Sequence, residues 1–247
     1  MLKNIHIGTS GWSYKDWKGL FYPPELKPTE WLGYFSKTFD ITEINSSFYH
    51  LPLRSTVEGW VTKVPANFMF CPKMSRYLTH IKRLKEPEEP LERFFKVFEP
   101  MKNKMGPVLV QLPPSLTFNY DVAEYFYILL KKNYTAYSFA IEPRHNTWLE
   151  TDSFSLMTKY NIAFVISQSG VGFPYAEAVT AKNIYVRFHG PKELYASSYT
   201  DEILSNFAGM FKKWQKEKHT IWAFFNNDYF GNAIWNGQKL IQMLDKK

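Results

Sequence analysis

Eight short apolar runs recur along the chain, and polar residues stand at the end of each. The runs are rich in β-branched and aromatic residues and predict strands at residues 5–10, 41–46, 68–73, 107–111, 137–142, 162–167, 184–188 and 220–225. Short and nearly continuous apolar runs are typical of strands that are buried on both faces of a parallel sheet.

Helical periodicity follows most of these runs. It predicts helices at residues 30–39, 55–64, 88–105, 121–133, 152–160, 200–217 and 231–244. Glycine and proline interrupt the segment 170–182, which shows no helical period, so we expect a degenerate sixth helix there. A strand, a polar end and a helix, repeated about eight times, predict an α/β fold in which residues 1–247 form a single (β/α)8 barrel of TIM type.

The polar strand ends predict where a site lies. In such barrels the site is built at the C-terminal ends of the strands. Tyr185, Arg187 and His189 share one face of their strand, and Glu43 and Asn45 share one face of another, because side chains alternate along a strand. We expect these polar side chains to point into the barrel mouth. The pattern does not predict which reaction, if any, takes place there.

Charge and aromatic content narrow the candidate ligands. The chain carries a net charge of +7, and 18% of its residues are aromatic. A basic surface attracts phosphates, nucleic acid or an anionic metabolite. The stretch 73–85 contains six basic or histidine residues and no acidic residue, so it is the best candidate for contact with a nucleic-acid backbone. Many basic proteins bind none of these ligands, and that alternative stays open.

The remaining composition indicates a protein of the cytoplasm. Cys71 is the only cysteine, which excludes an intrachain disulfide and fits a reducing compartment. The first residues lack the apolar stretch of a signal peptide, and no run approaches the roughly 18 apolar residues of a membrane span. We therefore expect a cytoplasmic protein without membrane contact.

Several motifs, in order along nearly the whole chain, resemble the YecE-like family, the domain of unknown function number seventy-two. They are Gly8-Thr9-Ser10-Gly11-Trp12-Ser13-Tyr14, Glu43-Ile44-Asn45-Ser46-Ser47-Phe48-Tyr49, Thr79-His80, Gln111-Leu112-Pro113-Pro114, Arg144-His145 with Trp148, Arg187-Phe188-His189-Gly190 and Phe225-Asn226-Asn227-Asp228-Tyr229. The resemblance implies a TIM-type barrel and a widespread soluble protein whose activity is not established.

The chain departs from the family pattern at three strand ends. Pro143 stands where the family usually has an aromatic residue, and Gln168-Ser169 stands where it often has Asp-Ser. Cys71-Pro72 replaces an Ala- or Phe-rich strand end, although Lys73 is kept. The missing carboxylate puts in doubt any mechanism that needs an acid after the sixth strand.

The predicted mouth combines acids, cations, amides and aromatic rings. Two glutamates with a nearby histidine could serve as general base and acid, so the catalytic candidates are Glu43, Glu142 and His189. Cations and amides suit a phosphate or carboxylate, and aromatic walls suit a base or sugar. The ligand-binding candidates are Trp12, Tyr14, Asn45, Tyr49, Lys73, Arg76, Gln111, Arg144, His145, Arg187, Asn226, Asn227, Asp228 and Tyr229.

Structural roles for the same residues remain alternatives. Glu43 and Glu142 could simply neutralise the arginines in a closed network, which predicts one of them within salt-bridge reach of Arg187, Arg144 or Lys73.

A metal centre is weakly indicated, because no His-x-His pair or cysteine cluster is present. A retaining glycosidase is disfavoured, because Glu43 and Glu142 come from strands that we expect to be far apart around the ring.

Three hypotheses follow from these residues. The first is a protein that binds a phosphate-bearing or other anionic ligand at the mouth, with acid–base hydrolysis or isomerisation as an added activity. The second is a nucleic-acid-binding protein that uses a basic rim and mouth aromatics. The third is a non-catalytic scaffold. The sequence leaves cofactor, metal, substrate and oligomeric state unknown.

Overall fold

Eight parallel strands form the centre of the protein. A computed structural model describes residues 3–245. The strands are β1 (Ile5–Thr9), β2 (Ile41–Ile44), β3 (Met69–Pro72), β4 (Val108–Gln111), β5 (Phe139–Glu142), β6 (Ala163–Gln168), β7 (Asn183–Phe188) and β8 (Thr220–Phe225). All eight predicted runs are strands, with ends that differ from the predictions by at most two residues.

Helices follow the strands as an outer layer. They are α1 (Trp31–Phe35), α2 (Ser46–Tyr49), α3 (Arg54–Thr62), α4 (Glu88–Phe98), α5 (Tyr120–Asn133), α6 (Thr151–Tyr160), α7 (Asp201–Lys216) and α8 (Asn232–Asp245). No helix forms between β6 and β7, which confirms the degenerate sixth repeat.

The strands are arranged as a nearly closed barrel. Their order is β3-β2-β1-β8-β7-β6-β5-β4. Isolated bridges between Phe70 and Met105 and between Lys73 and Leu109 link β3 to the β4 region. The Met74 N–H also donates to the Leu109 carbonyl at 2.8 Å. This confirms the α/β barrel of TIM type, and it brings the C-terminal ends of all strands to one face.

Some helices end earlier than the periodicity predicts. The helix predicted for residues 88–105 is α-helical only as far as Phe98, and a 3₁₀ segment, Glu99–Lys104, follows it. Pro100 lies in this segment, and proline lacks the N–H that an α-helix needs. The helix predicted to reach residue 39 ends at Phe35, and α2 was not predicted at all.

The barrel interior is filled rather than hollow. Tyr185, Trp222 and Phe224, from β7 and β8, lie at its centre with smaller side chains from the other strands. Little space is left where β1 and β2 meet, because a Cβ atom on Gly8 would lie 2.0 Å from the Ile41 carbonyl oxygen. This packing leaves only the ends of the barrel for a ligand.

Cys71 belongs to the same interior cluster and is fully buried. Burial raises the pKa of its thiol, so the side chain behaves as a small apolar residue, as predicted. Among residues 3–245, no helix is long and apolar enough to cross a membrane. The single domain over residues 1–247 includes terminal residues outside that range and stays a prediction.

Candidate polar site at the barrel mouth

A buried polar layer covers the C-terminal end of the apolar barrel interior. Its members come from the ends of all eight strands, because the alternation along each strand turns one polar side chain inward. They are Ser10, Glu43, Lys73, Gln111, Glu142, Arg144, Ser167, Arg187, His189 and Asn226. The strand ends selected from the sequence therefore do meet at one face.

Arg187 and Glu43 form a paired centre on one side of this layer. Arg187 donates from Nε to Glu43 Oε1 and from Nη2 to Glu43 Oε2, both at 2.9 Å. The same carboxylate accepts from the Tyr185 hydroxyl at 2.8 Å and from Ser10. Such two-point pairing fixes both groups strongly. Glu43 is fully buried and Arg187 almost so, and no solvent contact is needed to satisfy them.

Glu142 joins the two halves of the layer. Its Oε2 accepts from Arg187 Nη1 at 2.9 Å, and its Oε1 accepts from Arg144 Nη2 at 3.0 Å and from Ser167 at 2.8 Å. Burial acts to raise the pKa of Glu142, but Arg144 and Arg187 outweigh it and hold that pKa well below its usual range. Glu142 is therefore a carboxylate at neutral pH.

One guanidinium thus bridges both glutamates. Their strands belong to different parts of the ring, as expected, yet both side chains reach the same guanidinium. The salt bridge predicted between these acids and Arg187 or Arg144 is confirmed. Arg187 occupies the space between the carboxylates, where a glycosidase would need its substrate.

His189 is held as a neutral imidazole. Its Nε2 lies 3.0 Å from Glu142 Oε1, and its Nδ1 lies 3.1 Å from Asn226 Nδ2. Burial lowers the pKa of His189 to about 4, more than the hydrogen bond with Glu142 raises it. Since a carboxylate only accepts, Nε2 carries the proton and Nδ1 accepts from Asn226. Both nitrogens are already engaged.

Lys73 lies on the other side of the layer without a carboxylate partner. Its Nζ donates to Gln111 Oε1 at 2.7 Å and lies 4.3 Å from the centre of the Phe48 ring. The residue is only 9% exposed. Burial, and next the charge of Arg187, lower the pKa of Lys73 to about 7. It forms no salt bridge within residues 3–245.

Arg144 carries a buried donor without a partner among the described residues. Its Nη2 is bonded to Glu142, but its buried Nη1 has no hydrogen-bond partner among the described residues. The side chain is 5% exposed. Phe173 covers the guanidinium, with the ring centre 3.5 Å away. A buried donor without a partner is costly, so this nitrogen marks the place where a ligand would be stabilised.

An aromatic pocket adjoins the layer at β1 and β2. It has a volume of about 480 Å³, and Trp12, Tyr14, Asn45, Trp60 and Lys63 line it together with Glu43. Trp12 and Trp60 meet edge to face at 5.4 Å. The buried Asn45 Oδ1 has no hydrogen-bond partner within residues 3–245. The pocket offers a flat apolar wall beside one free acceptor.

Several predicted ligand residues lie outside the layer. Tyr49 and Tyr229 are largely exposed, and Arg76 is an exposed residue. His145 Nδ1 accepts from the Thr147 amide at the start of a 3₁₀ turn. The structure does not bring these four into contact with the polar layer, and their ligand roles stay predictions.

Two residues of the last motif support the fold near the site. Asn227 is fully buried and donates to the Ser197 carbonyl at 3.0 Å and to Asn236 Oδ1 at 2.9 Å. Asp228 accepts from Trp17 Nε1 through its backbone carbonyl at 2.9 Å. Burial raises the pKa of the Asp228 carboxyl to about 6. Both residues hold loops at the rim.

The candidate list omitted four residues that the structure brings to the site. Ser10 and Ser167 close the predicted runs 5–10 and 162–167, so the strand-end rule that found the glutamates could also have found them. Tyr185 shares the inward face with Arg187, which the alternation already indicated. Phe173 comes from the irregular segment between β6 and β7, and no sequence pattern marks it.

Within residues 3–245, histidine, cysteine and carboxylate side chains do not gather into a metal site. No group of three or more such residues with suitable geometry occurs within the described residues. Glu142 and His189 contact each other, but Glu43 is separated from them by the guanidinium of Arg187.

Comparison with known families identifies the group to which this barrel belongs. The sequence model of the family described as "Protein of unknown function DUF72" matches residues 6–247. The chain belongs to the DUF72 family. This confirms the resemblance inferred from the strand-end motifs.

Relatives of this DUF72 chain include two named bacterial proteins. UPF0759 protein YunF of Bacillus subtilis is 25% identical over 271 residues, covering 98% of this chain and 95% of that protein. UPF0759 protein YecE of Escherichia coli is 26% identical over 109 residues, covering 44% of this chain and 38% of that protein. The match to YunF is therefore essentially full-length.

Solved structures show the same fold. A DUF72 family protein of Thermotoga maritima has a TM-score of 0.85 and 30% identity, and the match covers 98% of this chain and 99% of that one. A DUF72 family protein of Enterococcus faecalis has a TM-score of 0.81 at 20% identity, covering 98% and 96% of the two chains. The second likeness concerns the fold alone.

Proposed function

We propose that this DUF72 protein binds a small anionic ligand, a carboxylate or a phosphate, at the barrel mouth over the ends of β3, β4 and β5. The observation that carries the proposal is the buried Nη1 of Arg144, which has no partner within residues 3–245. An anion placed there would accept the unmade hydrogen bond and restore its energy.

The charges of the layer favour the same location. Glu43 and Glu142 are matched by Arg187 and Arg144, which leaves Lys73 as a further cation paired only with the neutral Gln111. A buried charge without a counter-ion is unfavourable. A ligand anion would supply that counter-ion and would raise the pKa of Lys73 from its value of about 7.

Arg187 has a supporting part in this proposal. All of its guanidinium nitrogens donate to Glu43 or Glu142, so it holds the acids that in turn hold Arg144. Acid–base hydrolysis or isomerisation by Glu43, Glu142 and His189 would require these groups to exchange their present partners for a substrate. The geometry therefore supports binding more directly than catalysis.

The nucleic-acid alternative has less local support. In the basic stretch 73–85, Lys82 pairs with Glu86, and Arg83 donates to the Ser115 side chain and carbonyl. Lys73 lies inside the mouth rather than on a surface rim. These contacts leave fewer free cations to follow a phosphate backbone.

Calorimetric titration with inorganic phosphate and with acetate tests the proposal. Arg144→Gln should weaken the preferred anion by about 1.5–3 kcal/mol, the usual contribution of a charged hydrogen bond. That corresponds to roughly 10- to 150-fold in affinity. Arg93→Gln is the matched control, since Arg93 is exposed on α4. The affinity for acetate, whose own charge is constant in this range, should also fall as the pH rises above about 7, where Lys73 loses its proton.

Equal weakening by Arg144→Gln and Arg93→Gln would place the anion outside the mouth. Acetate binding that strengthens with pH above 7 would likewise exclude Lys73 from the anion site. Either result would leave the scaffold hypothesis as the better account of the polar layer.

A further inference from the structure

Lys73 has the surroundings of a nucleophilic amine. It lies at the C-terminal end of β3, where its side chain is 9% exposed and its Nζ is held by the Gln111 amide oxygen at 2.7 Å. No ion pair within residues 3–245 fixes it as an ammonium group. Lysines that are desolvated or placed near another cation become amine nucleophiles.

The opposing influences on its charge can be ranked. The Phe48 ring, 4.3 Å from Nζ, favours the ammonium form because the ring face attracts cations. The charges of Glu142 and Glu43 also favour the ammonium form. Burial, and next the charge of Arg187, act in the opposite direction and prevail, which lowers the pKa of Lys73 to about 7. Before an anion binds, a large fraction of Lys73 is therefore a free amine at neutral pH.

Hydrogen bonding also orients the amine. When Nζ is neutral it keeps two N–H groups and one lone pair. One N–H donates to Gln111 Oε1, so the lone pair is directed away from that oxygen. The charge of Arg144 acts on Lys73, so the two groups lie near each other, and the buried Nη1 of Arg144, which has no hydrogen-bond partner among the described residues, is a ready partner for a carboxylate. An amine and a carboxylate-binding donor thus share one end of the barrel.

We infer that Lys73 forms a Schiff base with a 2-oxo acid whose carboxylate is bound by Arg144. This inference rests on the anion site proposed above and names the class of ligand.

The reaction balances without a cofactor. The Lys73 nitrogen attacks the carbonyl carbon, and a proton moves from nitrogen to the former carbonyl oxygen to give a carbinolamine. The nitrogen lone pair then forms the C=N bond and expels the hydroxyl, and the remaining N–H proton passes through solvent to that hydroxyl, so water leaves and the neutral imine forms. Protonation of the imine nitrogen by solvent gives an iminium ion, which the neighbouring carboxylates, Glu142 and the substrate's own, would stabilise.

Reductive trapping tests the inference. The full chain is incubated with pyruvate and sodium cyanoborohydride at pH 7, and labelled lysines are identified by peptide mass spectrometry. We expect Lys73 to be labelled at least about tenfold faster than the exposed Lys213, as fits its larger amine fraction. Hydroxyacetone, a neutral ketone, should label Lys73 more slowly than pyruvate does. Arg144→Gln should remove that difference.

Variants and a binding control separate this inference from anion binding. Lys73→Met should abolish the specific adduct, and Lys213→Met should leave it unchanged. Lys73→Arg keeps a cation in case Lys73→Met does not fold, and it should also show no adduct at this position. Labelling spread evenly over surface lysines, or absent from Lys73 while phosphate or acetate still binds, would overturn the Schiff base and leave anion binding standing. If the wild-type protein forms no Lys73 adduct and binds neither phosphate nor acetate, both the Schiff base and the proposed anion site are overturned.

Discussion

The two sides of the barrel mouth use similar residues but differ in how completely these are paired. On the paired side, Ser10, Glu43, Tyr185 and Arg187 satisfy one another through short hydrogen bonds. On the open side, Lys73, Gln111 and Arg144 keep donors that no carboxylate of the described chain accepts. Glu142 connects the two sides.

This difference separates support from function. A complete network of buried charges fixes a geometry, and removing one member leaves another charge uncompensated. An incomplete network retains an electrostatic cost that a ligand can remove. The paired side therefore serves as the rigid base, and the open side is where binding is expected. The scaffold hypothesis describes the first side well and the second poorly.

Removal of the charge of Glu142, which connects the two sides, should have the largest effect on stability. Glu142→Gln removes the carboxylate that pairs with Arg144 and one of the two that pair with Arg187. It should lower the free energy of unfolding by about 3–5 kcal/mol, the usual penalty for a broken buried pair. Chemical denaturation measures this, with the exposed Glu92→Gln on α4 as control. Stability equal to that of the control would show that the two sides are not connected through Glu142.

Acid should weaken the layer through His189. Its pKa is about 4 in the folded protein, below the usual value of about 6.5. The unfolded chain therefore binds more protons between those values, and stability falls as the pH drops from about 6.5 to 4. The loss should be on the order of 2–3 kcal/mol.

His189→Gln should flatten this part of the stability curve in denaturation experiments at several pH values. His80 must be replaced in parallel, because burial also lowers its pKa to about 4 and it titrates over the same range. If the dependence of stability on pH is unchanged in His189→Gln and vanishes in His80→Gln, the acid sensitivity comes from His80 and not from His189.

Lys73 should show directly that the incomplete pairing of the open side lowers the stability of the protein. The pKa of Lys73 is about 7 in the folded protein, against a usual value of 10.5. Between these two values the unfolded chain binds more protons, so the contribution of Lys73 to the free energy of unfolding rises with pH. Lys73→Met should therefore stabilise the protein at pH 6, by about 0.5–2 kcal/mol, as expected where function has been favoured over stability. The gain should shrink toward pH 10. A loss of stability at pH 6 would place Lys73 on the paired side.

Replacement of the cations Lys82 and Arg83 should have the smallest effect of these changes. Lys82→Ala with Arg83→Ala should leave binding to a single-stranded oligonucleotide unchanged, as measured by fluorescence anisotropy at several salt concentrations. A log-affinity slope near −0.7 per phosphate that the double variant reduces would instead support the nucleic-acid alternative.

The sequence by itself determined the strands, their order along the chain and the polar residues at their ends. These features depend on local rules: apolar runs form buried strands, and alternation turns Glu43, Glu142 and Arg187 inward. The barrel and the family followed from the same motifs. The absence of a helix in 170–182 was also predictable, because glycine and proline act locally.

Only the tertiary structure decided which polar groups pair. Arg187 reaches Glu43 and Glu142, which lie 144 and 45 residues away along the chain, because closing and tilting the sheet brings distant strand ends to one axis. Strand alternation gives each side chain a face but not a partner across the barrel. Closure placed Arg187 between the two glutamates, set Phe173 over Arg144 and left Lys73 with an amide.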